Sequence, residues 1–163
     1  MKLWRIATAT RAYGADDLSG TGASLYPGRW NADGEKVVYC ALTVSLAVLE
    51  TAAHIDSAGL PLNRFLVEID VPLVVWKKRV PLNVSRLDPS WSAIPPGVVS
   101  VNAGSAWLRS SRSALLLVPY VIVPEELAVL INPAYPDAVG ITAKAIRKYE
   151  YDALFRRKSG LAS

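Results

Sequence analysis

The longest apolar run of the chain, residues 114–123, is interrupted by Pro119. A membrane-spanning helix needs roughly 20 consecutive apolar residues, so this run predicts no membrane span and no membrane partner. Its first part, residues 113–118, has the short length and continuous apolar character of a strand buried on both faces. Because the chain has 163 residues, of which 52% are hydrophobic, we predict one domain, residues 1–163, built around buried strands.

Short strand patterns outnumber helical patterns along the rest of the chain. Further strands are predicted at residues 3–7, 36–41, 64–71, 74–82, 129–132 and 148–155. The clearest is 64–71, where positions 65, 67, 69 and 71 are apolar and form one face, while Glu68 and Asp70 lie on the other. This pattern predicts a strand with one face against the core.

Only one long helix is predicted, from Thr43, which can cap it, to about residue 56. A short helix is predicted at residues 105–111. Residues 11–35 and 83–104 are rich in Gly, Ser, Asp or Pro, and are predicted to be long loops. Strands separated by such loops do not favour regular βαβ winding. We therefore predict an α+β domain with a mixed, twisted sheet.

The single cysteine, Cys40, and the single histidine, His54, limit the chemistry that the chain can perform. One cysteine cannot form an internal disulfide, and without a Cys/His cluster we predict no metal site. One histidine disfavours a Ser-His-Asp enzyme, and the lack of a GxGxxG or P-loop motif disfavours a Rossmann fold. Cys40 lies in an apolar strand and is predicted to be an inert, packed thiol.

The formal net charge of +4 is partly concentrated in three basic clusters, residues 77–79, 147–148 and 156–158. Such clusters can contact nucleic acid, an acidic partner or a phosphate group. A solvated surface is the commoner explanation for any one of them. Because residues 1–5 lack the apolar segment of a signal peptide, we expect a cytoplasmic protein.

Three residues of different chemistry lie ten and eleven positions apart: Arg29, Tyr39 and Glu50. Arg29 follows a Pro-Gly turn, and its guanidinium is suited to a phosphate or carboxylate, or to stacking on Trp30 or pairing with Asp33. Tyr39 lies in a predicted strand. It is either a core residue with its hydroxyl at the edge, or a ring that stacks on a flat heterocycle.

Glu50 lies on the apolar face of the predicted long helix, beside Leu46, Ala47 and Ala53. Glutamates are rarely buried unless they are paired. Glu50 therefore either forms an ion pair with an arginine or His54, or is a catalytic carboxylate in an apolar cleft. Together, the cation of Arg29, the phenol of Tyr39 and the acid of Glu50 suit a ligand that carries phosphate and that develops positive charge as it is cleaved.

Six motifs occur in one order along the chain. They are residues 28–31 (Gly-Arg-Trp-Asn), 38–39 (Val-Tyr), 45–50 (Ser-Leu-Ala-Val-Leu-Glu), 107–108 (Trp-Leu), 114–119 (Ala-Leu-Leu-Leu-Val-Pro) and 130–133 (Leu-Ile-Asn-Pro). This order resembles that of RES-domain proteins, the toxins of Xre–RES toxin–antitoxin pairs. The resemblance implies a fold related to ADP-ribosyltransferase toxins of the diphtheria type. It also implies NAD as substrate, with no separate cofactor.

The resemblance further implies a partner, an Xre-like antitoxin whose C-terminal segment covers the active site. Nucleic acid would then be contacted only indirectly, through the antitoxin. By position, Arg29, Tyr39 and Glu50 match the family's arginine, tyrosine and glutamate, which makes them the implied catalytic residues. Arg29 and Tyr39, together with Ser45 in the first turn of the helix, are the implied NAD-binding residues.

Three positions depart from the family pattern. The usual Val-Pro-Ser ends in Tyr120 here, and Ser113, at the start of the same strand, is the nearest substitute for the family's serine. We therefore add Ser113 to the NAD-binding candidates. Ala128 replaces a family asparagine, and Tyr135 replaces a family histidine.

Three classes of function remain open at this point. The first is a toxin that arrests growth by degrading NAD, through hydrolysis or through phosphorolysis with inorganic phosphate as a second ligand. The second is a transferase that moves ADP-ribose onto a protein. The third is a non-catalytic basic module that binds RNA or an acidic partner, which the three departures from the family pattern favour.

Overall fold

A computed structural model describes residues 1–53 and 63–151 of the protein. Its strands are β1 (Lys2–Thr8), β2 (Val38–Ala41), β3 (Arg64–Asp70), β4 (Val80–Pro81), β5 (Leu115–Pro119), β6 (Leu127–Ile131) and β7 (Thr142–Tyr149). Its helices are α1 (Thr21–Leu25), α2 (Val44–Ala52), α3 (Leu73–Lys77) and α4 (Val98–Ser110). Short 3-10 turns occupy Val84–Arg86, Pro89–Ser92 and Pro136–Gly140. Among these described residues, no helix has the length and apolar character needed to cross a bilayer.

The strands form one seven-stranded sheet in the order β4-β5-β6-β2-β1-β3-β7. β4 and β5 run parallel, whereas the other neighbouring strands are antiparallel. The sheet is therefore mixed, and the predicted α+β class is confirmed. β2, which carries Tyr39, lies near the middle of the sheet, between β6 and β1.

The two faces of the sheet bury two separate apolar clusters. One cluster includes Leu3, Val67, Ile69, Leu115 and Val129. The other joins Ile6, Leu66, Leu116 and Leu130 of the sheet to Leu46 and Ala47 of α2 and Trp107 of α4. The alternation predicted for residues 64–71 is confirmed, because Val67 and Ile69 enter one cluster and Leu66 enters the other. The face covered by α2 and α4 also carries the side chains of the predicted site.

Thr43 caps α2 as the sequence predicts. The backbone N–H of Leu46 donates to Thr43 Oγ1 over 3.2 Å, while the cap residue itself has an extended backbone. This satisfies one of the free donors that every helix start leaves. The helix is described as far as Ala52, and the predicted end near residue 56 lies outside the described residues, as does His54.

The prediction of a continuous strand at residues 74–82 is wrong. The segment forms the short helix α3 and then the two-residue strand β4. Pro72 sets the turn with φ −53°, and its carbonyl accepts from the N–H groups of Val75 and Trp76. Leu73 and Val74 are more than half exposed. The apolar composition of this segment therefore does not correspond to a buried sheet face.

Two further boundaries differ from the prediction. α4 begins at Val98 rather than at residue 105, so the end of the predicted loop is helical. The last described strand is β7, paired with β3 along its whole length, so residues 148 and 149 end a strand rather than begin one. Residues 152–155 of the predicted strand 148–155 lie outside the described residues. β7 is an edge strand with mostly exposed side chains, so no apolar alternation marks it. A short helix, α1, also lies within the predicted loop 11–35.

Cys40 provides a prediction about the core. Its side chain is 4% exposed on β2, and burial raises the pKa of the thiol to about 12, with Arg5 acting in the opposite direction. We expect a thiol reagent at pH 8 to label the native protein at least about 100-fold more slowly than the urea-unfolded protein, because only the thiolate reacts. Equal labelling rates in the two states would contradict the buried position of Cys40.

The raised pKa of Cys40 also makes the stability of the folded protein depend on pH. The folded-state pKa of Cys40 lies above its ordinary value of 9.0. The neutral thiol therefore contributes fully to the stability of the fold below pH 9. This contribution is lost as the pH rises from 9 towards 12. Urea unfolding of the wild type and of Cys40→Ala at pH 8 and pH 10.5 measures this loss of stability. Between pH 8 and pH 10.5 the free energy of unfolding should fall more for the wild type than for Cys40→Ala.

Candidate active site

The buried amide of Asn31 organises the loop at residues 28–31. Its Oδ1 accepts from the backbone N–H of Gly28 over 2.9 Å and from the Tyr39 hydroxyl over 2.8 Å. Its Nδ2 donates to three carbonyls, those of Ala23, Ala32 and Glu35, at 2.9–3.1 Å. The side chain is fully buried, at 0% exposure. Since every polar atom of the amide is used, Asn31 fixes the loop against β2.

Tyr39 holds this loop from the strand side. Its hydroxyl accepts from the backbone N–H of Trp30 over 2.9 Å while donating to Asn31. The end of its ring lies so close to Gly28 that a Cβ there would come within 2.7 Å of the hydroxyl oxygen. The glycine is therefore required for close approach. Burial raises the pKa of the Tyr39 phenol, so it remains a neutral donor at physiological pH.

Arg29 projects from the loop towards the turn that precedes α4. Its Nη1 donates to the carbonyls of Trp91 over 2.9 Å and of Ala93 over 2.8 Å. The ring of Trp91 stacks on Trp30, with 5.8 Å between the ring centroids. The structural alternatives predicted for Arg29 were stacking on Trp30 and pairing with Asp33. The guanidinium instead donates to two backbone carbonyls. It links the loop to the 89–93 turn.

Glu50 lies one helical turn beyond Leu46 and Ala47, the two α2 residues buried against the sheet. It is half-buried, as its position on the apolar face predicts. Burial lowers the pKa of Arg29, and the charge of Glu50 opposes this shift. The same charge adds to the raised pKa of Tyr39. Glu50 is therefore within electrostatic range of both, and the structure brings the three predicted residues together.

Tyr120 also belongs to this neighbourhood. It follows β5, is 8% exposed, and packs in the same cluster as Trp30, Leu46 and Ala47. Burial raises the pKa of its phenol, and the charge of Glu50 raises it further. The position that departs from the family's Val-Pro-Ser pattern is thus within electrostatic range of the candidate catalytic acid.

The two serine candidates lie in different surroundings. Ser45 is exposed in the first turn of α2, where a ligand can reach it. Ser113 is 1% exposed, and its hydroxyl accepts from Trp107 Nε1 over 3.1 Å and donates to the Leu115 carbonyl over 2.8 Å. Both of these bonds are internal, so they give Ser113 a structural role. Its participation in ligand binding stays a prediction.

Helix α4 supports the loop from behind. Ser105 donates to Glu35 Oε2 over 2.5 Å, and Arg109 contacts the other oxygen of the same carboxylate at 3.4 Å. At Gly104 the helix backbone is so close that a Cβ would lie 1.8 Å from the Trp30 carbonyl oxygen. The loop that carries Arg29 is therefore held between β2 and α4 by direct backbone packing.

Taken together, these residues form a half-buried site with a guanidinium, a neutral phenol and a carboxylate supplied by a loop, a strand and a helix. Residues 2–153 match the family model described as RES domain. The chain belongs to the RES domain family. The resemblance drawn from the six motifs is thereby confirmed.

Relatives support the same assignment. The chain is 54% identical over 156 residues to the "Prs ADP-ribosylating toxin" of Sphingobium sp. (strain YBL2), which covers 96% of this chain and 97% of the relative. It is 40% identical over 120 residues to the "Toxin Res" of Photorhabdus laumondii, covering 73% and 74% of the two chains. Both relatives are named toxins, so this RES domain is homologous to toxins over most of its length.

The fold also matches that of a solved structure. A chain in the crystal structure of the M. tuberculosis MbcT–MbcA toxin–antitoxin complex aligns with a TM-score of 0.63 and 17% identity. The alignment covers 94% of this chain and 86% of the other. At this identity the likeness is evidence for the fold alone.

Several residues that shape this site carry no local signal in the sequence. Asn31 was noted only as part of a motif, although its amide connects three segments. Glu35 and Trp91 were not identified, and each contacts a partner far away in sequence. Within the described ranges, no group of three or more His, Cys, Asp or Glu side chains is arranged to hold a metal ion.

Proposed function

We propose that this RES domain is the toxin of a toxin–antitoxin pair and that it cleaves the nicotinamide–ribose bond of NAD at the site of Arg29, Tyr39 and Glu50. The observation that carries the proposal is the convergence of these three side chains from a loop, a strand and a helix. Their convergence in a half-buried site makes their charges more effective than they would be in water.

Glu50 is the group that accelerates the reaction. When nicotinamide leaves C1′ of the ribose, positive charge develops on the sugar, as it does in glycoside hydrolysis. A fixed carboxylate nearby stabilises that charge more in the transition state than in the ground state. The half-buried position of Glu50 on a capped helix supplies the required preorganisation.

Arg29 is suited to the diphosphate of NAD or to an incoming phosphate ion. Its Nη1 is occupied by the carbonyls of Trp91 and Ala93, which fixes the plane of the guanidinium. Among the described residues, no protein acceptor bonds to its Nε or Nη2, which leaves three N–H donors for a ligand. A fixed guanidinium with free donors matches the geometry of phosphate oxygens.

Tyr39 offers its ring rather than its hydroxyl. The hydroxyl donates to Asn31 and accepts from Trp30, so the ring of this partly buried residue is what remains for a ligand. An aromatic ring beside the leaving group stacks on nicotinamide and excludes water from the reacting bond. Ser45, exposed at the start of α2, is a further NAD-binding candidate.

The acceptor of the ADP-ribose is water, inorganic phosphate or a protein side chain. Hydrolysis or phosphorolysis would deplete cytoplasmic NAD and arrest growth. Protein modification is a second candidate function, and it is favoured by the 54% identical relative named for ADP-ribosylating Prs. All three outcomes share the same bond cleavage and the same roles for the three residues.

The partner that we propose is an Xre-like antitoxin that covers the site. In this pair the antitoxin contacts nucleic acid, and the toxin does so only indirectly. The structural relative comes from a toxin–antitoxin complex, which supports a protein partner of this kind. The remaining alternative, a non-catalytic basic module, predicts no NAD turnover and an affinity for RNA that falls steeply with salt.

The test uses NAD labelled in its adenylate part, incubated with the purified protein. Nicotinamide release with free labelled ADP-ribose indicates hydrolysis, and a new labelled product only when phosphate is added indicates phosphorolysis. Label retained on a protein band after adding Prs or a cell extract indicates transfer. If no nicotinamide is released under any of these conditions, the proposed function is wrong.

Arg29→Ala should weaken NAD binding by about 10- to 100-fold, because charge-assisted hydrogen bonds to phosphate are lost. Calorimetry in a Glu50→Gln background, where NAD is not consumed, measures the affinity. Arg29→Lys should recover only part of the loss, since an ammonium cannot hold both carbonyls and phosphate. Arg86→Ala, which removes an exposed arginine, is the matched control. An unchanged affinity of Arg29→Ala would leave Arg29 with a structural role only.

A further inference from the structure

Tyr120 carries an inference beyond the three-residue site. Its backbone N–H donates to the Glu126 carbonyl over 3.1 Å, and its ring packs in the cluster that contains Leu46 and Ala47 of α2. Ala128, which is small, pairs with both Ala41 and Val118 in the sheet and lies in the same cluster. The ring of Tyr120 is therefore fixed in a well-packed position.

Among the described residues, the hydroxyl of this fixed ring has no hydrogen-bond partner. Throughout residues 1–53 and 63–151, no hydrogen bond involves the Tyr120 hydroxyl, and the only buried side-chain polar atom left unpaired is Arg64 Nε. The Tyr120 oxygen therefore reaches accessible space, although the residue as a whole is 8% exposed. Phenols this deeply buried usually find a partner. Its O–H is therefore available to a group that the described residues do not supply.

Glu50 defines the chemistry around this hydroxyl. It lies on the α2 face formed by Leu46 and Ala47, one turn further along the helix, and it interacts electrostatically with Tyr120. A carboxylate repels anionic groups, so phosphate oxygens are disfavoured beside it. A neutral phenol donor beside a carboxylate acceptor instead fits a sugar hydroxyl, which can accept from one and donate to the other.

We propose that Tyr120 is a further substrate-contacting residue. Its O–H donates a hydrogen bond to one hydroxyl of the nicotinamide ribose, and the same ribose hydroxyl donates to the carboxylate of Glu50. This inference rests on the proposed cleavage of NAD. The ribose hydroxyl lies between the two side chains, and no proton is transferred in the contact. Tyr120 thus supplies a polar group to the site from a position where the family pattern has a serine.

The experiment combines Tyr120→Phe with two substrate analogues, NAD lacking the 2′- or the 3′-hydroxyl of the nicotinamide ribose. Tyr120→Phe should lower kcat/KM for NAD about tenfold, the effect of one lost hydrogen bond. With the analogue that lacks the contacted hydroxyl, wild type and variant should have equal kcat/KM. With the other analogue, the tenfold difference should persist.

The matched control is Tyr26→Phe, which removes a hydroxyl from a tyrosine that is 81% exposed, and its kcat/KM should be unchanged. Tyr120→Phe should fold normally because the hydroxyl bonds to none of the described residues, and thermal unfolding checks this. If Tyr120→Phe equals the wild type on NAD, or if the tenfold loss persists with both analogues, the inference is overturned. A wild-type protein that releases no nicotinamide would overturn the proposed function itself, which is a distinguishable result.

Discussion

The Glu50→Gln variant will fold like the wild type and lose roughly 10²–10³-fold or more of its nicotinamide-releasing activity. The substitution keeps the size and helix propensity of the side chain and removes its charge. The charge is what stabilises the developing oxocarbenium ion, so its loss should lower kcat far more than it changes the affinity for NAD. Purified protein, assayed for nicotinamide release at saturating NAD, gives the measurement.

The control is Glu125→Gln, which removes an equal charge from an exposed glutamate in the turn between β5 and β6. This variant should retain wild-type activity. Induction of each variant in cells adds a second readout, because the wild type and Glu125→Gln should deplete NAD or modify a protein, whereas Glu50→Gln should do neither. Nicotinamide release by Glu50→Gln at the wild-type rate would remove Glu50 from the mechanism.

The parts of the fold that could be predicted from the sequence are those in which burial leaves a local pattern. β3 alternates between two buried clusters, and β5 is buried along its whole length. Both patterns are visible in the sequence. The start of α2 was equally predictable, because Thr43 makes its capping bond within the next turn of the same segment.

The elements that could not be predicted depend on partners far away in sequence. β7 exists because its backbone completes the edge of β3, and its exposed side chains give no alternation. The first turns of α4 were hidden by a neighbouring Pro-Pro-Gly segment and by Gly104 inside the helix, since glycine normally disfavours a helix interior. In the 74–82 segment, exposed Val74 and buried Val75 lie in a short helix that follows Pro72, so apolar composition alone indicated the wrong structure.

The same division applies to the site. Glu50 stands out in the sequence because a carboxylate is unusual on an apolar helix face. Arg29 and Tyr39 also fit structural roles, and only the resemblance to the RES family selects them. Asn31 could not be identified, because its importance arises from five contacts that form only when the loop closes on β2 and α1. Ser113 was selected by position in the chain, whereas the bond that its hydroxyl accepts from Trp107 depends on how α4 packs against β5.

The Gly104→Ala variant should be destabilised by about 3 kcal/mol or more, because the new methyl group would overlap a backbone carbonyl rather than a movable side chain. The clash is with Trp30, whose carbonyl oxygen, carbon and Cα would lie 1.8, 2.7 and 3.0 Å from the added Cβ. Alanine otherwise favours a helix over glycine by up to about 1 kcal/mol. Thermal and urea unfolding should show a melting temperature lower by roughly 10 °C.

Gly22→Ala is the matched control, since Gly22 is also helical and an added Cβ would meet only the Tyr13 hydroxyl at 3.5 Å. It should be neutral or slightly stabilising. Below its melting temperature, Gly104→Ala should still lose activity, because the loop of Arg29 must move away from α4 to make room. Wild-type stability of Gly104→Ala would contradict the close packing of α4 on the loop. Reduced stability with unchanged turnover would instead show that this packing supports the fold without positioning Arg29.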